Sequence, residues 1–243
     1  MGTKAIIIKK TDCMSTIKKI IICSICMAGA VIIFSCSRMN DSYADFIKDG
    51  EIVYTGKVDS IKTYPGNNRI QLSMLLVSDP KITSVKVFWN DSHDSAVQAI
   101  QRSAGVDTVK FLLSSMAEGT YTFSIYTHDN AGHSSVRADM IGTVYGQSYI
   151  NSLYNRVLKS STYNGAGKAT LIWYGPSAQT VGSQITYTDS SGAARNIFTP
   201  AKDTITTLLN FKRGGSFNYR TLYMPVANAI DTFYSNSESR QIQ

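Results

Sequence analysis

The sequence has no cysteine after Cys36, although four cysteines occur in its 243 residues. This distribution excludes disulfides and zinc–thiolate sites from everything that follows Cys36. Cys23 and Cys26 have CxxC spacing, but they lie inside an apolar run with no second pair nearby. We therefore predict no cysteine nucleophile, no metal site and no cofactor, and we interpret the cysteines as part of an N-terminal targeting segment.

Glutamate and histidine are scarce, at three residues each. A glycosidase needs two opposed carboxylates, and general acid–base catalysis relies most often on histidine. The chain also lacks the GxSxG, HExxH and P-loop patterns. Most aspartates stand at turn positions, such as Asp79 before Pro80 and Asp189 before Ser-Ser-Gly. These absences predict a protein that is not an enzyme and has no catalytic residue.

The longest apolar run, 20–34, follows a basic stretch that includes Lys18 and Lys19. As a helix the run would measure about 22 Å, shorter than the ~30 Å hydrocarbon core of a membrane. A permanent transmembrane anchor is therefore disfavoured, whereas a basic segment before a short apolar run is typical of a secretory signal. Met14 is an alternative to Met1 as the start and would give a more ordinary signal length.

The apolar run ends in Ile33-Phe34-Ser35-Cys36, which resembles the bacterial lipobox. In lipoproteins of that type the cysteine thiol carries diacylglycerol, the chain is cut before the cysteine, and the new amine receives a further acyl chain such as palmitate. Several acyl chains anchor a protein stably, where one would not. The resemblance implies a lipoprotein signal peptide over 1–35, lipidation at Cys36 and a lipidated tether over 36–50.

Basic charge is less prominent once the signal is set aside. The formal net charge is +7, and residues 1–35 contribute five lysines and one aspartate to it. Without them the net charge is about +3, and no cluster of lysine or arginine remains. We therefore expect the membrane, and no nucleic acid, among the partners.

From Glu51 onward, short runs of alternating apolar and polar residues are separated by turns. Pro65 and Gly66 suit a type II turn with Gly66 at positive φ, and 189–192 predicts a hairpin. The predicted fold is all-β, with two tandem antiparallel β-sandwiches over 51–146 and 147–243. The predicted strands are 51–64, 69–76, 84–91, 107–116, 119–129, 136–146, 168–175, 183–189, 194–199, 203–211, 216–225 and 229–235.

Two segments fit either a helix or a strand. In 148–161, Tyr149, Leu153 and Val157 follow a helical stripe, yet the segment would also open the second sandwich. A strand is preferred for 95–105 because its neighbours are predicted strands.

The segment AEGTYTFSIYTHDNAGHSS (117–135) resembles the F strand and F–G turn of fibronectin type III-like domains. With it, GEIVYTGKVDSIKTYPGNNRIQL, TVYGQSYINSLYNR and YRTLYMPVANAIDTFYS resemble a family of Bacteroidetes outer-membrane lipoproteins that carry a domain of unknown function. The resemblance implies tandem sandwiches, a Gram-negative outer-membrane location and an association with surface glycan handling. In that phylum, acidic residues soon after the lipidated cysteine accompany surface display. Arg38 departs from that pattern, so periplasmic and surface-facing locations both stay open.

Candidate ligand-binding residues lie in loops at one end of the first predicted sandwich. A fibronectin-type strand order places the B–C loop (77–82) beside the F–G loop (127–133), and NDSHDS (90–95) at the other end. Asp79 would then approach His128, Asp129 and His133. Each loop alone has too few ligands for a metal, so Asx-type turns with exposed histidines are the prediction and a ligand site is the alternative.

Aromatic side chains supply the other candidates. Trp89 and Trp173 lie in alternating runs beside valine and leucine, so we predict that both pack in a core. Tyr64, beside Pro65, and Tyr174, at a strand end, are predicted to be exposed platforms for a sugar. We expect a non-catalytic, lipid-anchored envelope module that binds a glycan or a protein. A structural or assembly subunit is the alternative, and an unrecognised hydrolase is the third interpretation.

Overall fold

Alternating burial defines the strands of this chain. In the computed structural model, which describes residues 18–19, 52–77 and 79–243, strand β2 (Arg69–Leu76) buries every second side chain from Ile70 to Leu76. Successive side chains of a strand point to opposite faces of its sheet. The same alternation buries Val85 and Val87 on the next strand. One face of each strand therefore joins a core.

Seven strands form the first sandwich. One antiparallel sheet has the order β1-β2-β5 and the other has the order β4-β3-β6-β7. Side chains from both sheets, including Phe111 and Phe123, meet in one apolar core, and Trp89 packs against it. The strands are β1 (Asp59–Pro65), β2 (Arg69–Leu76), β3 (Ile82–Trp89), β4 (Asp94–Ala99), β5 (Asp107–Ser114), β6 (Gly119–Asp129) and β7 (Ala138–Val144).

A short helix of six residues, α1 (Gln147–Ser152), leads into the second sandwich. Its sheets have the orders β12-β9-β8 and β11-β10-β13-β14, with β15 also paired to β13. The strand order thus repeats that of the first sandwich, and Trp173 and Phe217 lie in its core. The strands are β8 (Leu158–Gly165), β9 (Lys168–Trp173), β10 (Thr180–Thr188), β11 (Ala194–Pro200), β12 (Ile205–Leu209), β13 (Ser216–Tyr223), β14 (Phe233–Tyr234) and β15 (Glu238–Gln241).

The predicted fold class, tandem antiparallel β-sandwiches, is confirmed. The chain divides into two compact units, 1–53 and 54–243, and both sandwiches lie in the second. The predicted boundaries of the sandwiches stay predictions. The signal peptide, Cys36 and the tether to residue 50 lie outside the described residues. Among the described residues, no helix has the length and apolar character that crossing a membrane requires.

The two ambiguous segments resolve differently. Segment 95–105 contains the preferred strand, since β4 covers 94–99. Segment 148–161 contains both alternatives, because α1 ends at Ser152 and β8 begins at Leu158. The predicted strand 229–235 shrinks to the two residues of β14.

The predicted type II turn at Pro65-Gly66 is wrong. Gly66 is not among the glycines with positive φ, and Asn68 carries that conformation at φ 51°. What requires a glycine at position 66 is the second sandwich. A Cβ atom there would lie 2.4 Å from Oδ2 of Asp231 and 2.8 Å from Cγ1 of Ile230. The constraint is therefore close approach and not backbone conformation.

The two sandwiches meet at the β1–β2 turn, where Asp231 from the β13–β14 loop collects three donors. Its carboxylate accepts hydrogen bonds from the main-chain N–H of Asn67 at 2.8 Å and from Nε and Nη2 of Arg69. The main-chain N–H of Ile230 also donates to the carbonyl of Pro65 at 2.8 Å. These contacts hold the β13–β14 loop against the first sandwich.

Replacing Asp231 by Asn should lower the free energy of unfolding by about 1–2 kcal/mol, because an amide would turn a donor towards groups that already donate. For a unit of this size, that corresponds to a fall in Tm of roughly 2–8 °C. The hydrogen bond from Arg69 lowers the pKa of Asp231. Its stabilisation is therefore present near neutral pH and is lost as the pH falls through the folded-state pKa, so the difference between the variant and the wild type should begin to narrow below about pH 4.

Thermal unfolding of the full chain by circular dichroism from about pH 3 to 7 measures this difference. Asp91→Asn is the matched control, since it removes the charge of an exposed loop carboxylate. A gap between Asp231→Asn and the wild type that did not narrow in acid would contradict the assignment.

Candidate functional site

A pocket of about 310 Å³ opens beside the junction of the two sandwiches. One wall is the segment that connects α1 to β8, and the other is the β9–β10 loop. Small-molecule sites commonly lie at domain junctions, and this volume is at the lower end of their range. The lining residues are Ser152, Leu153, Tyr154, Asn155, Arg156, Val157, Gly175, Ser177 and Tyr223.

The first sandwich positions α1 through Glu118. Its carboxylate accepts the main-chain N–H groups of Ser148 at 2.7 Å and Tyr149 at 2.8 Å, which have no partner within the helix. Gly146 allows this approach, since a Cβ atom there would lie 3.1 Å from the Glu118 side chain. A helix of six residues is too short to be stable alone. The contact with Glu118 therefore fixes the position of α1, and with it the start of the pocket wall that follows the helix.

Three aromatic rings pack beneath this connection. Tyr145 lies 4.7 Å from Tyr149 and 5.8 Å from Phe233 between ring centroids, and Tyr149 meets Phe233 edge-on at 5.1 Å. Burial raises the pKa of Tyr149, whose hydroxyl donates to the side chain of Gln179. These rings join the end of β7, the helix and β14 into one apolar contact.

The segment after α1 is held by hydrogen bonds to the last strands. The main-chain N–H of Arg156 donates to Oγ1 of Thr221 at 2.6 Å, and the side-chain oxygen of Asn155 accepts from Ser235 at 2.7 Å. The hydroxyl of Tyr223 donates to the carbonyl of Tyr154 at 2.7 Å. The pocket wall is thus built from main chain that side chains of β13 and of the segment after β14 fix in place.

The side chains of Tyr154 and Tyr174 are exposed to solvent beside this wall. Tyr154 is 80% exposed and Tyr174 is 53% exposed. The main-chain N–H of Tyr174 donates to the carbonyl of Val157, and its own carbonyl accepts Nε of Arg156, so Tyr174 borders the pocket. Lys159 lies 6.0 Å from its ring centroid. Exposed rings beside a polar pocket offer faces on which a sugar can stack.

The other predicted platform, Tyr64, lies on β1 opposite Gln71 and is half-buried. Its neighbour Pro65 contacts the β13–β14 loop. Tyr64 therefore sits next to the junction but is not part of the pocket lining. The two tryptophans are packed against the cores, as predicted.

The F–G loop of the sequence prediction is the β6–β7 loop, and its aspartate organises the turn. Oδ1 of Asp129 accepts the main-chain N–H groups of Ala131 and His133, both at 2.9 Å. Oδ2 accepts Nδ1–H of His133 at 2.7 Å, and this bond lowers the pKa of Asp129. The predicted Asx-type turn is confirmed at this position.

The carboxylate of Asp79, on the β2–β3 loop, also accepts hydrogen bonds from main-chain N–H groups. Its carboxylate accepts the main-chain N–H groups of Gly56 and Lys81, each at 3.0 Å. His128 lies on β6, and its carbonyl accepts the hydroxyl of Thr83. Of the four candidates, only Asp129 and His133 contact each other through side chains. No cluster of three potential metal ligands occurs in the described part of the chain.

Sequence reasoning missed Tyr154 and Arg156, which lie inside the segment left between helix and strand. Arg156 is only 4% exposed, although arginine in a connecting segment normally faces solvent. Its partners, Tyr174 and Asp203, are 18 and 47 residues away in sequence. No local pattern identifies such a residue.

Comparison with known proteins gives a family. The model of DUF4998, described as a domain of unknown function, matches residues 36–233. A segment of two fibronectin type III domains from chicken tenascin is similar at 15% identity and a TM-score of 0.31, over 77% of this chain and 99% of that one. The FN1–FN3 domains of chicken CNTN1 are similar at 11% identity and a TM-score of 0.38, over 80% of this chain and 69% of that one. No curated protein matches.

Replacing Asp129 by Ala should lower the free energy of unfolding and with it the Tm, because two main-chain N–H groups and His133 lose their acceptor. Since the carboxylate is already occupied, calcium or zinc should leave the Tm of the wild type unchanged. Differential scanning fluorimetry with each metal and with a chelator checks both statements, and exposed Asn130→Ala is the control. A metal-dependent rise in Tm that Asp129→Ala abolished would restore a metal site here.

Proposed function

We propose that this chain, which belongs to the DUF4998 family of domains of unknown function, is a non-catalytic, lipid-anchored module of the Bacteroidetes cell envelope that binds a glycan. The observation that carries the proposal is the junction pocket with its two exposed tyrosines, Tyr154 and Tyr174. Sugars stack on tyrosine rings and form hydrogen bonds with hydroxyl and amide groups, and side chains of both kinds lie around this pocket.

The pocket chemistry favours binding over hydrolysis. None of its lining residues is acidic, whereas hydrolysis of a glycoside uses two opposed carboxylates. The glutamates of the described region have other contacts. Glu118 caps α1, and Glu238 accepts the hydroxyl of Tyr219 and pairs with Arg240. Their engagement supports a non-catalytic role.

Lipid attachment rests on the sequence. The Ile-Phe-Ser-Cys pattern ends at Cys36, and the family match begins at the same residue. The part shared with the family therefore starts where processing would leave the new amino terminus. An outer-membrane location, facing either the periplasm or the outside, follows from this proposal and not from the folded part.

Cys36→Ala should abolish metabolic labelling with an alkyne analogue of palmitate and move the protein out of the membrane fraction, since the acyl chains provide the anchor. The matched control is Cys26→Ala, which changes a cysteine of the predicted signal and should retain labelling. Labelling of Cys36→Ala at the level of the wild type would rule out this attachment site.

Tyr174→Ala and Tyr154→Ala should each weaken retention of the purified chain by an immobilised polysaccharide roughly 2–10-fold, through loss of about 0.5–1.5 kcal/mol of stacking. Affinity gels and a glycan array measure the effect. Tyr54→Ala, another exposed tyrosine, lies outside the pocket and should bind normally. An absence of wild-type binding across host, bacterial and plant polysaccharides would contradict the proposal.

A structural or assembly subunit is the second candidate function. The edge strand β12 exposes Ile205 by 59% and Leu209 by 55%. Apolar side chains on an unpaired edge suit strand addition by a protein partner. Such a partner would bind equally well after replacement of Tyr154 or Tyr174, and this separates the two functions.

A further inference from the structure

Arg156 is a buried cation that forms no ion pair or hydrogen bond with a carboxylate among the described residues. Its Nε donates to the carbonyl of Tyr174 at 3.0 Å and its Nη1 donates to the carbonyl of Asp203 at 2.9 Å. Nη2 is buried and has no hydrogen-bond partner within the described chain. The nearest aromatic support is the ring of Trp173, whose centroid is 5.9 Å from the guanidinium carbon. Main-chain carbonyl groups thus accept both hydrogen bonds of the Arg156 guanidinium, and burial lowers its pKa by more than the negative charge of Asp203 raises it.

Several other arginines pair with a carboxylate. Arg102 pairs with Asp107, Arg195 with Asp189 and Arg69 with Asp231. Removal of a cation from water is costly unless an opposite charge compensates it, and arginine stays protonated in proteins. Burial lowers the pKa of Arg156, which is the electrostatic sign of the same cost. An anion that reached this position would recover part of that free energy.

The junction pocket is the route by which an anion reaches Arg156, since Arg156 forms part of its lining. The other polar side chains of the lining carry hydroxyls or an amide and belong to Ser152, Tyr154, Asn155, Ser177 and Tyr223. No acidic side chain lines the pocket to repel an anion. Nη2 itself is covered, so a direct bond to it requires a shift of the wall, whereas electrostatic attraction does not.

We propose that the junction pocket takes the carboxylate of an acidic sugar unit of the uronic acid type, with Arg156 as the attracting group and Tyr154 and Tyr174 as stacking faces. Attraction between a carboxylate and the guanidinium is charge-assisted and therefore stronger than a contact between neutral groups. The small volume suits one sugar unit at the site. This inference rests on the proposed glycan-binding function and names the ligand class of the same site.

Matched polymers test the inference on the unaltered chain. Affinity gels that contain polygalacturonate, polyglucuronate or alginate are compared with gels that contain the carboxyl-reduced, neutral form of each polymer. We expect retention by at least one acidic polymer about tenfold above its neutral form, from electrostatic attraction between its carboxylate and the partly compensated charge of Arg156. Added salt should reduce the difference.

Two arginine variants locate the effect. Arg156→Met keeps much of the apolar stem and should abolish the preference for the acidic polymer, while Arg156→Lys should keep part of it. Arg213→Met removes an exposed cation from the β12–β13 loop and should leave the preference intact. Circular dichroism shows whether each variant is folded; if Arg156→Met is not, the comparison of polymers on the wild type decides the question.

Each result discriminates between the two proposals. Equal retention by acidic and neutral polymers, or binding of neutral glycans alone, overturns the acidic-sugar inference and leaves glycan binding in place. Equal or tighter retention by dextran sulfate overturns the carboxylate assignment, because general attraction to anions would then explain binding. No retention by any polysaccharide overturns both proposals.

Discussion

The carboxylate of Asp231 is the contact on which the arrangement of the two sandwiches depends. It receives one main-chain N–H and two side-chain N–H groups from the β1–β2 turn, and these three donors fix both the distance and the rotation of the loop that carries it. The turn has to present a bare backbone to this carboxylate, which is why residue 66 has no side chain. The pocket lies apart from this contact, between the segment after α1 and the β9–β10 loop.

Two other aspartates accept main-chain hydrogen bonds in the same pattern. Asp129 and Asp189 each accept N–H groups from the residues two and four positions later. In both turns a glycine with positive φ, Gly132 or Gly192, stands at the third position after the aspartate. The D-x-x-G spacing therefore builds the same turn in both sandwiches. Carboxylates committed to such turns have their oxygens occupied by main-chain donors.

The sequence was sufficient for most of the strands and insufficient for β15, for the segment that contains β8 and for the site. Alternation placed Val85, Val87 and Trp173 in the cores because strand periodicity is local, and the turn at Asp189 carried its own signal. The helix α1 could not be separated from a strand because it is held by Glu118, which lies outside the segment. Arg69 and Asp231 are 162 residues apart, so no local pattern connects them. Of the pocket, only Tyr174 was identified in advance.

The last strand of the second sandwich is broken into β14 and β15, with Ser235 between them. The hydroxyl of Ser235 accepts the main-chain N–H of Thr221, a position that an uninterrupted strand would pair through its own backbone. An interrupted edge is a poor template for a further strand, because strand addition needs a continuous row of N–H and C=O groups. This edge therefore resists strand pairing between copies of the chain, which is the contact from which fibres would grow.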